Sequence, residues 1–141
     1  MIRVFLDANV YFAGCFSKDG ASFFILELAR REKMELVASK LVLREADRNL
    51  RKKSSPAALK TFRKFLQEVR IRIVSPAENE LKIYENVVEP KDVPVIVASV
   101  SAGTDYFLTL DRKHLLSSDR LARLKKPRVM SPGDFLKKVF L

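Results

Sequence analysis

Ile2-Arg3-Val4-Phe5-Leu6-Asp7-Ala8-Asn9 is a short apolar run that stops on a carboxylate. Val4, Phe5 and Leu6 have the β-branched and aromatic character of a strand buried on both faces of a parallel sheet. Open α/β sheets bind ligands outside the carboxyl ends of their strands. Asp7 therefore stands where such a site is expected, with Asn9 two residues further on. The rest of the chain is read by asking which other carboxylates return to that point.

A length of 141 residues predicts one domain over residues 1–141, large enough for a real hydrophobic core. Apolar residues make up 48% and charged residues 31%, an ordinary globular mixture, and four glycines with six prolines exclude a low-complexity chain. The net charge of +10 is not ordinary. It predicts attraction to polyanions, nucleic acid first and an anionic membrane surface second, with plain solubility as the competing explanation. The single cysteine, Cys15, permits no internal disulfide and fits a reducing compartment. It lies in an apolar stretch and reads as a small buried residue, not a nucleophile. There is no secretory leader pattern and no run long enough to span a bilayer, so the expected location is cytoplasmic, with no membrane partner.

Ser17-Lys18-Asp19-Gly20 reads as a turn after the apolar residues 10–16, and a helix follows over 21–32 through Phe24, Ile25, Leu28 and Ala29. Leu36 to Ala38 forms a second strand, and Ser39 caps a helix over 40–52. On a helical wheel Arg44, Asp47, Arg48 and Arg51 share one side. Glu45 falls instead with Leu41, Val42 and Asn49 on a mostly uncharged face. An inward carboxylate needs a partner or a cation to offset desolvation; a surface pair with Arg48 or Asn49 is the alternative, and the wheel leaves it open. Ser54-Ser55-Pro56 breaks the chain before an amphipathic helix over 57–69. The resulting hairpin carries Arg44, Arg48, Arg51, Lys52, Lys53, Lys60, Arg63 and Lys64. Such a basic face suits a groove wall for a phosphate backbone, or is merely solvated.

Ile71 to Val74 is a third strand. Ser75-Pro76-Ala77-Glu78 has the form of a capping box opening a helix that ends near Val88. Asp92 precedes an uncharged run, Val93 to Val100, that reads as a buried core helix; capping that helix would by itself explain an Asp there. Tyr106 to Thr109 is the fourth strand, followed by Asp111, which can also be read as a plain cap of a short helix over 112–116. At about 3.3 Å per residue, Asp105 lies roughly 20 Å from Asp111 along a straight strand and is excluded from any shared site. His114, the only histidine, reads as a surface or packing residue. Arg128 to Met130 is the last strand, and Ser131-Pro132-Gly133-Asp134 opens the last helix. The alternation predicts a three-layer α/β/α sandwich around a parallel sheet of about five strands.

Asp7 and Asp111 each follow a strand, so parallel strands place both at the carboxyl edge; Glu45 and Asp92 lie on helices that can return to it. Several carboxylates in one crevice repel unless protons or cations intervene. Mg²⁺ or Mn²⁺ suits oxygen ligands beside a phosphate substrate. Inside a basic protein, that points to metal-assisted hydrolysis of phosphodiesters.

Phe5-Leu6-Asp7-Ala8-Asn9-Val10, the inward Glu45, Asp92-Val-Pro-Val-Ile-Val-Ala98 and Asp105-Tyr-Phe-Leu-Thr-Leu-Asp111 together resemble the PIN domain, in order and spacing, along nearly the whole chain. Within that family the chain is similar to the VapC-type ribonucleases of toxin–antitoxin pairs. The resemblance implies a Mg²⁺- or Mn²⁺-dependent endoribonuclease. It implies Asp7, Glu45, Asp92 and Asp111 as acidic ligands, with Glu45 acting directly or through water, and Asn9 and Thr109 as polar supports. RNA is then the substrate, guided by the basic residues of the hairpin; a small antitoxin protein blocks the site, and the toxin forms a homodimer. The competing reading is a non-catalytic RNA-binding or interaction module on the same fold. A nucleotide-cradling or phosphatase site is weaker, because no Gly-rich loop follows the first strand and Asn9 stands where a second aspartate would be needed.

Overall fold

The computed structural model describes residues 1–140. Strand β1 (Arg3–Leu6) is the middle strand of five, the others being β2 (Glu35–Ala38), β3 (Ile71–Ile73), β4 (Tyr106–Leu108) and β5 (Arg128–Met130). Their order is β3-β2-β1-β4-β5 and every pairing is parallel. The register sets Phe5 between Val37 and Phe107, and the Phe5 and Phe107 rings stack 5.5 Å apart. Val4, Phe5 and Leu6 are fully buried, which is why the strand shows no polar alternation.

Helix α1 (Ala8–Phe16) leaves β1 at once, and α2 (Ala21–Arg30) returns to β2. Gly14 faces α2 so closely that a Cβ there would stand 2.5 Å from Leu26 Cδ1, so the helices can touch only at a residue without a side chain. Helices α3 (Lys40–Lys53) and α4 (Pro56–Glu68) form the expected hairpin, opened by Ser39 and Ser55 hydroxyls that accept from the Val42 and Ala58 N–H groups. Tyr11 packs edge-on against Phe62 and Phe65, tying α1 to α4. Cys15 is buried in this layer, and burial pushes its thiol up to about 11, in keeping with a packing residue.

Helix α5 (Glu78–Tyr84) and helix α6 (Val93–Ser101) pack together between β3 and β4. Right-handed crossovers put α1–α4 on one face of the sheet and α5 and α6 on the other, because the chain reverses direction across the sheet between β3 and β4. Arg112–Leu116 and Leu136–Phe140 are π-helical turns, and α7 (Asp119–Ala122) and α8 (Pro132–Phe135) are single short helices. Among the described residues no helix is long and apolar enough to cross a membrane. The chain leaves β1 toward β2 but reaches β4 on the opposite side. The carboxyl ends of β1 and β4 therefore flank the switch point where such sheets open a crevice.

Two helices depart from their expected bounds by more than one residue. The capping box at Ser75–Glu78 does not form: α5 begins at Glu78 behind Ala77 with no side-chain cap, and ends at Tyr84, short of Val88. Val74 N–H still bonds the Ala38 carbonyl at 2.9 Å, which keeps the chain extended as far as Ser75 and away from a capping turn. Helix α2 stops at Arg30, and Glu32 takes a left-handed φ of 57° that ends the run expected to reach residue 32.

Candidate active site at the carboxyl edge

Asp7 is the first residue past β1 and is 8% exposed. Its Oδ1 accepts from Ala8 N–H at 2.8 Å, and its Oδ2 accepts from the Thr109 hydroxyl at 2.8 Å. Thr109, fully buried just past β4, accepts in turn from Asn9 Nδ2 at 3.3 Å and from Asp111 N–H at 3.1 Å. Asn9 Oδ1 accepts from Leu110 N–H at 3.1 Å, which fixes the orientation of that amide. One hydroxyl thus links the ends of the two strands beside the crevice.

Burial raises the Asp7 carboxyl to about 6, against the lowering effect of the Thr109 and Ala8 hydrogen bonds; Asp92 and Glu45 add to the rise. Asp92 is raised as well, first by burial, with Lys91 opposing and Asp111 and Glu45 reinforcing. The four acids expected to converge are therefore electrostatically coupled. Asp105 is not among them. At the opposite edge, it accepts from Arg3 N–H at 2.8 Å and pairs with Lys126 at 3.2 Å, and these donors hold it below the usual carboxylate range.

The cap reading of Asp92 fails. It ends a 3₁₀ turn (Pro90–Asp92), makes no side-chain cap bond to α6, and its Oδ2 is buried without a hydrogen-bond partner. A buried carboxylate oxygen that lacks a donor calls for a proton or a cation. Glu45 is partly buried on α3 and forms no ion pair with Arg48 among the described residues. Asp111 does cap, its Oδ1 accepting from His114 N–H at 2.9 Å.

Among the described residues no three acidic, histidine or cysteine side chains already converge on one point. Asp7 and Asp111 direct their oxygens to nearby donors, and the carboxylates stay apart. The chemistry of the set still fits a hard divalent ion: all-oxygen ligands, mutual repulsion, and a free oxygen on Asp92.

His114 does more than the sequence indicated. Its Nδ1 lies 3.3 Å from Asp111 Oδ2 and its Nε2 4.0 Å from Glu89 Oε1. The three-residue step from Asp111 to His114 was the available signal; the Glu89 contact had none, because the 85–92 stretch has no periodicity. On the hairpin, Arg44, Arg48, Arg51, Lys52, Lys53, Lys60, Arg63 and Lys64 are all exposed. They are not equally free: Asp47 pairs with Arg51 at 3.0 Å and with Arg63 at 3.1 Å, and Lys64 lies 3.8 Å from Glu68.

A family model described as the PIN domain matches residues 3–113. No protein of curated function matches the sequence. Among solved structures, VapBC2 from Rickettsia felis, crystallised with a DNA fragment from its promoter, matches with a TM-score of 0.63 at 15% identity, covering 92% of this chain and 98% of that one. PAE2754 from Pyrobaculum aerophilum gives 0.65 at 20% identity over 96% and 93%. VapC20 from Mycobacterium tuberculosis, described as a toxin that cleaves the sarcin–ricin loop, gives 0.53 at 16% identity over 78% and 91%. At these identities the likeness is one of fold.

Proposed function

The chain belongs to the PIN domain family, and from that premise we propose that it is a Mg²⁺- or Mn²⁺-dependent endoribonuclease, the toxin component of a toxin–antitoxin pair. The observation that carries this reading is the unpartnered, buried Oδ2 of Asp92 at the sheet's switch point, where burial first and neighbouring carboxylates second raise Asp7 and Asp92. Asp7, Asp92 and Asp111 would hold the ion, with Glu45 binding it directly or through water. A bound ion supplies Lewis-acid polarisation of the phosphodiester and the charge that lets the acids ionise together. Thr109 and Asn9 hold Asp7 and the start of the 110–111 segment in place, and His114 orients Asp111. The exposed cations of the α3–α4 hairpin attract the RNA backbone.

A small antitoxin protein, a second copy of the chain in a homodimer and a cytoplasmic location complete the reading. They rest on the family resemblance, and the promoter-bound VapBC2 complex supports the antitoxin. Light scattering and co-purification with the product of the neighbouring reading frame test the two partners.

The deciding experiment is a crystal soak in MnCl₂ with anomalous scattering, paired with cleavage of single-stranded RNA by wild type and Asp92→Asn. A Mn²⁺ peak among Asp7, Asp92 and Asp111, with cleavage lost in the variant, supports the enzyme. One observation favours a non-catalytic RNA-binding module: Asp7 and Asp111 both satisfy backbone N–H groups, as capping residues do. No metal response and no cleavage by the wild type would select that module.

A further inference from the structure

A cavity of about 580 Å³ lies against β5, and none of the four site acids lines it. Its apolar lining includes Leu116, Leu124 and the buried Met130, while exposed Arg112, Arg128 and Lys138 line it with positive charge against one carboxylate, Asp134. Among the described residues none of these three cations has an ion-pair partner. This contrasts with the hairpin, where Asp47 holds Arg51 and Arg63. The cavity adjoins the site through two links. Arg112 follows Asp111 in the chain, and the Met130 carbonyl accepts from Thr109 N–H at 3.1 Å, the same threonine whose hydroxyl holds Asp7. Most of the lining lies beyond residue 113, outside the span matched by the family model.

The volume falls in the ordinary range of small-molecule sites, roughly 300–1,000 Å³. An apolar wall for a ring beside cations for a phosphate is the complement of a nucleotide. Only an unstacked base can enter such a hollow, which selects single strands and loops over duplex. We propose that this cavity seats one nucleotide of a single-stranded RNA beside the cleaved bond, with its base against Leu124 and Met130 and its phosphate among Arg112, Arg128 and Lys138. The proposal rests on the ribonuclease reading and extends it from backbone attraction to recognition of a base.

The test uses the full chain carrying Asp7→Asn, which prevents cleavage, titrated with fluorescein-labelled single-stranded RNA between about 50 and 200 mM salt. Adding R112A/R128A weakens binding and flattens the slope of log K against log salt by about 0.7, the share of the one phosphate no longer neutralised. Ala122→Phe fills the cavity without removing charge, since Ala122 lines it. In the chain with Asp7 intact, Ala122→Phe raises KM for cleavage several-fold at unchanged kcat, as loss of uniform binding does. In the Asp7→Asn chain it abolishes the preference for intact RNA over RNA with abasic sites. An unchanged slope in R112A/R128A, or normal cleavage and base preference in Ala122→Phe, overturns the proposal while wild-type cleavage leaves the ribonuclease reading standing. Absence of metal-dependent cleavage by the wild type overturns that reading, and with it the placement beside a cleaved bond.

Discussion

The Thr109 hydroxyl donates a 2.8 Å hydrogen bond to Asp7 Oδ2 across 102 positions of sequence, and it also accepts from Asn9 and from the Asp111 N–H. Thr109→Val keeps the shape but strips all three partners. It is expected to destabilise the fold by about 1–3 kcal/mol in urea denaturation, because buried polar groups are left unpaired. It should also slow RNA cleavage by about 10–100-fold, the usual loss when a partner of a metal-binding side chain is removed. Thr109→Ser, which restores the hydroxyl, should recover most of both.

Asp7 makes stability depend on pH. Its carboxyl sits at about 6 in the fold, mainly through burial, against 3.8 for a free aspartate. A raised carboxyl favours the folded state below the free value, and that advantage is lost as pH rises through the folded value. The metal-free protein should therefore lose stability between about pH 4 and 7. Asp7→Asn removes the charge and should be more stable than wild type at pH 7.5, by on the order of 3 kcal/mol. The difference should vanish near pH 4. Denaturant titrations across that range check the sign, and a wild type that gains stability toward pH 7.5 would contradict it.

Mn²⁺ should raise the Tm of the wild type as its concentration increases, since a ligand that binds only the folded state stabilises it by mass action. Asp92→Asn and Asp111→Ala should each abolish that rise. A thermal-shift series over MnCl₂ with MgCl₂ alongside reads the effect without reference to activity.

Asp47 neutralises part of the hairpin through its bonds to Arg63 and Arg51, and these bonds hold its carboxyl below the usual carboxylate range. Asp47→Ala frees both guanidinium groups. If the hairpin guides RNA, affinity at low salt should increase and its salt dependence should steepen. Fluorescence anisotropy at two salt concentrations decides it; an unchanged affinity removes Arg51 and Arg63 from the RNA path.

Gly14→Ala should cost about 1–3 kcal/mol, because the added methyl would stand 2.5 Å from the buried Leu26 Cδ1 and 3.0 Å from the Ser22 carbonyl oxygen, so both a packed side chain and the α2 backbone must give way. Thermal denaturation of the variant measures this directly, and retained RNA cleavage at low temperature would show that the carboxyl edge is undisturbed.

Local pattern was enough for the layout. Apolar runs at Val4–Leu6 and Tyr106–Leu108, each followed by an acid, and the uncharged stretch after Asp92 mark buried strands and a buried helix whatever surrounds them, because burial on every side leaves no place for polar alternation. Parallel pairing then sends Asp7 and Asp111 to one edge. The Ser75–Glu78 box misled because it is a local motif overruled by a distant bond, that of Val74 to Ala38.

The partner of each charge was settled by packing alone. Asp92 is a good cap by sequence and caps nothing, while His114, unremarkable on its helix, lies against Asp111. Arg51 and Arg63 look as free as Arg112 and Arg128 until Asp47 is seen between the first pair and a cavity beside the second. The reason is physical: backbone periodicity depends on neighbours a few residues away, whereas desolvation and hydrogen bonding depend on whatever the fold brings alongside, here from as far as 102 positions off.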